Sequence, residues 1–495
     1  MVLVAAGFWL GGHVQPANEL AAYKQFLRAK GEKLELAEVL PPPVPAESNS
    51  AAALEEAFGM YGSGSEKSPY AMVIVAPGKA LIGWKQPEAL GWNFTNSWDE
   101  FATNVAVDEQ AIELLHQVLD RPRLDFQHNY IGDLSTVANY YMPLGRSARK
   151  LTAAAVLELH DGDSGAATTN ILTLLTLIHH DASEGLVLWF RLRVGMASCA
   201  VEPTWEILQA TNVTDAQLAT VQDGWQQLDF LSDAENAYLL ERAWAAAHIQ
   251  KLRDSPAECK KALARRDNPG GWDCPDIIAD HTRGLRLAIG ETLWRSSWSY
   301  SEELQLVKAD QMILEALRTS RTNHNQFLKA DYDSLTSRLS SLGLTNAGAA
   351  FYDLLGIPHL RDGYVKPGES SLPYTLRLQA ARNVAIAAIA IKRYQLRHGQ
   401  WPATLAELTP EFLAAVPIDP CDGKPLKYRP NTDGTFLLYS VGEDGVDDGG
   451  DPTNTTISDG GSDSFDWQDP TARDWVWPQP ATPAEVQNFY EHPPR

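Results

Sequence analysis

The chain has 495 residues, a formal net charge of −22, 44% hydrophobic residues and 15 tryptophans. Its length allows two to four domains, and its hydrophobic content supports buried cores rather than bulk disorder. The acidity argues against a phosphate-tracking nucleic-acid surface, and the nearest thing to a basic block, Lys260 to Arg266, reads as one solvated helix face.

Val2 to Leu10 is an apolar run with no Lys or Arg before it, and it falls short of the roughly 20 residues that a spanning helix needs. Residues 1–12 read as part of a signal peptide or membrane anchor, with a buried N-terminal helix as the alternative. Within 13–104, helical spacing from about Asn18 to Leu36 (Leu20, Tyr23, Phe26, Leu27, Leu34) runs into the proline-stiffened "LPPPVPAESNS". A β-branched run from Tyr70 onward then predicts a short strand or two, followed by irregular chain.

Residues 105–355 carry successive helical patterns joined by short turns. These predict antiparallel helical hairpins in a bundle or short solenoid, with no strict repeat period. Thr214 before Asp215 is an expected N-cap, and Asp161–Gly162 an expected helix stop. "GDSG", Gly162 to Gly165, matches the start of a serine-protease nucleophile loop, but it lies between two helical runs and reads as a helix turn. His179–His180 precedes Asp181 at a helix end and lacks a zincin context. There is no G-x-S-x-G, Walker A or G-x-G-x-x-G, and no pair among the many carboxylates is singled out. The cysteines (Cys199, Cys259, Cys274, Cys421) form no C-x-x-C; Cys259 and Cys274 flank a Pro-Gly turn and could be bridged in an exported protein, or stay as buried thiols.

Residues 356–373 read as a linker. The longest uninterrupted helical pattern follows from Tyr374, with Leu376, Ala380, Val384, Ile391 and Tyr394 broadly on one side, and Gly399 and Pro402 stop it. "PLKYRP" and "TFLLYSV" flank the turn signal "NTDG", a hairpin expected to pack on that helix. Residues 374–480 are therefore expected to form a small α+β unit and 481–495 a tail. The fold class expected is mainly α: antiparallel helical hairpins or a bundle, then the α+β unit.

The order of residues in 374–478 resembles the globular part of the major pseudopilins of type II secretion. Tyr394, Gly399, Trp401 and Pro402 match the end of that family's helix. Pro417, Asp419, Pro420, Gly423, Pro425 and Tyr428 match its following turn. Tyr439, Ser440, Gly442, Asp444 and Gly445 match its Asp-rich loop, and Asp474–Trp475 its returning acid. The resemblance implies a small α+β fold and one calcium ion held by Asp444, Asp447, Asp448 and Asp474 with backbone carbonyls from Val441 to Gly445; Asp466 and Asp469 compete as the closing ligand. Val441 to Trp475 holds nine Asp, one Glu and one Arg, which favours a cation, and a solvated acidic loop without metal is the alternative. Cys421 stands where the family usually has Trp, Asp422 is extra, and Pro452 to Arg473 is inserted. The matching helix is internal and lacks the family's prepilin-peptidase site and hydrophobic N-terminal helix, so filament assembly is not implied.

The layout as a whole is similar to large helical bacterial envelope proteins. The reading is an exported or membrane-anchored envelope protein, extracytoplasmic, non-enzymatic, and acting as a structural or interaction protein on protein partners. The rival is a hydrolase with its site assembled across the helical region. A deep cleft lined by converging carboxylates of raised pKa would mark it.

Overall fold

The computed structural model describes residues 2–61, 71–91, 94–128, 130, 135–180, 185–260, 291–322, 329–342, 365–453 and 472–491. The protein is mainly helical, with small sheets of few strands. Helix α1 (Val2–Ala29) leads through α2 (Leu36–Val39) and α3 (Ala51–Met60) to two hairpins, β1 (Val73–Ala76) with β2 (Lys79–Leu81), and β3 (Ala89–Gly91) with β4 (Phe94–Asn96). Helices α4 (Trp98–Ala106) and α5 (Glu109–His116) follow. The helical body comprises α6 (Ser135–His160), α7 (Ser164–His180), α8 (Val187–Leu208), α9 (Asp215–Gln226), α10 (Phe230–Asp254), α11 (Ser299–Thr322) and α12 (Lys329–Ser341).

Local chemistry sets the helix starts. Thr214 and Gln217 form a reciprocal capping box on α9, as do Ser97 and Glu100 on α4. Between α6 and α7, Gly162 takes φ +82° and the Asp163 carboxylate accepts from the Ala166 N–H at 2.9 Å, so the chain reverses in three residues. Helices α6, α7 and α8 pack on one another around Leu151, Leu174, Trp189 and Trp205, all essentially inaccessible to solvent.

The long helix α13 (Val365–His398) does not lie on the edge of a separate unit. Its charge-free stretch Val384 to Ile391 is buried all round, packed by α8 and α9 and by the C-terminal sheet. One hydrophobic core runs from Leu36 to Trp477 through this helix. The linker expected at 356–373 is helical from Val365 onward, and 356–364 lies outside the described residues. Pro367 falls in the first turn, where a missing N–H costs little.

Strand β5 (Lys427–Pro430), β6 (Phe436–Ser440) and β7 (Trp475–Val476) form an antiparallel sheet on α13, with the predicted turn at Asn431 to Gly434. Strand β8 (Gln479–Pro480) then pairs in parallel with β2, Lys79 opposite Gln479, which ties the C-terminal segment to the N-terminal hairpin. Within the expected tail, α14 (Pro483–Glu491) is capped by Thr482 and Glu485 and packs Phe489 against Val73 and Leu81.

The second half of α1 belongs to the body. Leu27 and Leu34 pack with Val307, and the turn after α1 places Glu32 in a buried ion-pair network. Arg242 donates to Glu32 at 3.1 Å and to the Lys33 carbonyl at 2.7 Å; Gln311 and Arg318 reach the same carboxylate. Burial alone would raise the Glu32 pKa, but bonds from Arg318, Gln311 and Arg242 hold it at about 2. Among the described residues no helix is long and apolar enough to cross a membrane.

Candidate functional site

The residues that carry the pseudopilin resemblance interlock helix, turn and sheet. Gly399 ends α13 at φ +71°, its N–H donating to the Gln395 carbonyl. Trp401 donates its indole N–H to the Gly434 carbonyl at the hairpin tip, 2.7 Å away, and the Tyr428 hydroxyl donates to the Pro402 carbonyl at 2.8 Å. Asp419 is fully buried and accepts from the Cys421 and Val441 N–H groups and the Ser440 hydroxyl, all within 3.0 Å. It thereby fastens the turn to the end of β6, although burial pushes its pKa up. Asn383 on α13 donates to the Ile418 carbonyl and locks the same turn to the helix. Gly442 has φ +74°, and a β-carbon there would stand 2.8 Å from the Arg473 carbonyl oxygen.

The four predicted ligands are not brought into one donor set. Asp474 is buried, whereas Asp444, Asp447 and Asp448 are exposed. The Asp444 carboxylate accepts from the Val446 N–H and that of Asp447 from the Tyr439 hydroxyl and the Gly449 N–H, while Asp448 faces Arg473 at 3.4 Å. Asp474 accepts from the N–H groups of Gly450 (2.8 Å), Asp451 (3.0 Å) and Asp448 (3.4 Å). Calcium is held by carboxylates and carbonyls converging on one point. Here backbone N–H dipoles converge on the carboxylate expected to close the site, a field suited to an anion. These residues therefore do not fit calcium in this arrangement: Asp474 closes the loop by itself. Burial raises its pKa to about 6 despite those three bonds, and the charge of Asp447 adds to the rise. Among the described residues no group of three or more His, Cys, Asp or Glu side chains could hold a metal ion. Asp466 and Asp469 lie outside the described residues.

Elsewhere the chemistry-bearing motifs have structural work. In "GDSG", Asp163 caps α7 and the Ser164 hydroxyl donates to the Asn212 carbonyl and accepts from Gln217. His179 and His180 end α7, and burial lowers both pKa values, that of His180 to about 4. Cys259 and Cys421 are buried, and burial raises both thiol pKa values; Cys274 lies outside the described residues.

Beyond Asp419 and Asp474, the sequence does not mark out the carboxylates with raised pKa. Glu206 on α8 has no solvent exposure; one oxygen accepts from the Met72 and Gly83 N–H groups, both at 2.9 Å, and the other has no hydrogen-bond partner among the described residues. Burial pushes its pKa to about 8. Glu241, which accepts from the Val187 N–H at the start of α8, is raised to about 7 by burial, and its neighbour Asp310 is raised first by burial and then by the charge of Glu241. A cleft of about 840 Å³ lies elsewhere, between the proline segment at 41–43 and the end of α7. Histidines His128, His179 and His180 line it, with Asp125 as its carboxylate, and Asp125 is engaged by the Val44 and Gln127 N–H groups. Only the composition of the "TWEIL" stretch, a lone acid among apolar residues, hints at Glu206.

Comparison with protein-family models, with curated proteins and with solved structures finds no match.

Proposed function

We propose that this chain is a non-enzymatic structural or interaction protein of the bacterial envelope, in which a pseudopilin-like module is built into a helical body and offers its acidic loop to protein partners. The observation that carries the reading is the use of the resembling residues. Asp419, Trp401, Tyr428, Gly442 and Asp474 spend their polar groups or backbone freedom on fastening the module. The loop so held leaves three Asp and Val446 at the surface, with Val446 53% exposed.

A second observation weighs against the hydrolase. Of the carboxylates raised by burial, Glu206 sits beneath the β1–β2 hairpin and Glu241 and Asp310 between α10 and α11, whereas Asp233, beside the cleft histidine His179, is ion-paired with Arg193 at 2.7 Å. None of these acids lines the cleft, and the one beside a cleft histidine is committed to an ion pair. A photo-crosslinking residue at position 446, with the exposed position 107 just after α4 as the control, tests the proposal in cells producing the chain from its own gene. A discrete crosslinked species from 446, absent from 107 and recovered in the envelope fraction, is the expected result. An exclusively cytosolic chain, or identical patterns from both positions, would overturn it.

A further inference from the structure

We infer that the junction between the helical body and the C-terminal sheet is a binding pocket for a small apolar carboxylate, a compound with one aromatic or branched aliphatic group and one carboxylate. The pocket has a volume of about 210 Å³. Five parts of the chain build it: Leu208 and Gln209 at the end of α8, Ala388 and Lys392 on α13, Trp401 after that helix, Phe436 at the start of β6, and Trp477 before β8. Trp401 and Phe436 meet edge to face, their ring centroids 5.1 Å apart, and the Trp401 N–H is tied to the Gly434 carbonyl, which fixes the wall. A dry cavity of about 150 Å³ accepts benzene, so this volume holds one ring and a short acidic arm.

The polar part of the lining is small and carries one charge. The side chain of Thr435 bonds Asp433 and Asn431, and the amide N–H of Gln209 donates to the Trp205 carbonyl. Lys392 is half-buried and, among the described residues, has no hydrogen-bond or ion-pair partner. Burial, and then the charge of Lys85, press its pKa below the usual lysine value. In a chain of net charge −22, a partly desolvated ammonium without a carboxylate beside it is unusual. A ligand carboxylate would supply the missing partner while its apolar group covers Trp401, Phe436 and Trp477. The inference uses nothing from the loop or from the envelope reading, so either can fail without the other.

Calorimetric titration of the full chain with 3-phenylpropionate, and with its neutral isostere 3-phenylpropanamide, is the test. Saturable binding of the acid at millimolar concentrations is expected, with the amide at least about tenfold weaker, a difference of about 1.4 kcal/mol. Lys392→Met keeps the aliphatic stem and removes the charge. It should bind the acid at least about tenfold more weakly, while Lys392→Arg keeps the preference for acid over amide. A hexapeptide ending in a free Phe carboxylate, beside its amidated form, separates the two sources. Binding by the free-ended peptide points to a chain terminus, and binding by the small acid alone points to a free acid. The wild-type comparison of acid and amide needs no variant. Equal binding of acid and amide, unchanged binding by folded Lys392→Met, or no heat from either compound at 10 mM (on the order of −2.7 kcal/mol as a dissociation constant) would overturn the inference.

Discussion

Replacing Glu206 by Gln removes one titration from the middle of the fold and should change how stability depends on pH. The folded pKa is about 8, against 4.5 for a free glutamate, because burial disfavours the charged form. The folded chain therefore binds more protons than the unfolded chain between pH 4.5 and 8. This contribution is fully present below pH 4.5, falls as pH rises through that window, and is flat above it. Each pH unit inside the window costs about 1.4 kcal/mol, so between pH 4.5 and 7 wild type loses about 3 kcal/mol through this one group. Gln keeps an oxygen for the Met72 and Gly83 N–H groups and does not titrate. Its amide adds a buried donor costing about 1–3 kcal/mol, but that cost is the same at every pH.

The expected result is thus a change in difference. Relative to wild type, Glu206→Gln should gain about 3 kcal/mol between pH 4.5 and pH 7, whichever protein is more stable at the start. At about 2.1 cal/mol/K of unfolding entropy per residue, a chain of 495 residues shifts by about 1 °C per kcal/mol, so the Tm difference should move by about 3 °C. Glu241 and Asp310 also have raised pKa values, but they titrate in both proteins and cancel. Thermal unfolding followed by circular dichroism at half-unit pH steps measures the difference. Parallel profiles for the two proteins would refute the reasoning and show that Glu206 is ionised in the fold.

Three further outcomes follow from packing. Glu32→Ala strands the buried Arg242 guanidinium and should cost about 3–5 kcal/mol in a denaturant titration, whereas a surface salt bridge would cost under about 1. Gly442→Ala should cost well over the ~1–2 kcal/mol of a left-handed residue, because its β-carbon meets the Arg473 carbonyl; Gly434→Ala, at φ +82° with open space around it, should cost only that amount. Asp474→Ala should cost about 1–3 kcal/mol by leaving the Gly450 and Asp451 N–H groups without an acceptor, while millimolar calcium should leave wild-type Tm unmoved. A calcium-dependent rise abolished by Asp444→Ala would reinstate the metal.

What could be read in the sequence was local. The Thr214 cap, the Gly399 stop and the Asn431–Gly434 turn each rest on backbone preferences of a few neighbouring residues, and the structure has all three. The helical start of α13 was hidden by Pro367, Gly368 and Pro373, which signal a linker unless tertiary packing overrides them. The parallel pairing of β2 with β8 joins residues 400 apart and leaves no local trace. For the acidic loop, composition gave the charge but not the direction of the backbone. Whether N–H or carbonyl groups face Asp474 depends on Gly449 and Gly450, at φ +77° and +85°, and that choice separates a self-closed loop from a calcium cage. Burial of Glu206 and the meeting of Lys392 with three aromatic rings are likewise products of assembly across distant elements.

The packing of α13 also limits how the C-terminal helix-and-sheet unit can meet a partner. A helix that assembles with sister copies needs an apolar face left open, yet Val384 to Ile391 is already enclosed by α8, α9 and the sheet. Undocking it would expose the centre of the core, so association through this helix is disfavoured by far more than an interface returns. The free edge of β5 is a poor alternative. It carries Lys427 and Arg429 and ends in Pro430, which has no N–H to donate, and charge and proline are how edges are kept from pairing. The loop from Val441 to Thr453 remains, anchored at one end by Asp419 and from beneath by Asp474, with Asp444, Asp447 and Asp448 exposed. A partner reading that surface should present basic groups, and its binding should weaken steeply with added salt, since exposed charges are screened beyond a Debye length of about 10 Å at 0.1 M.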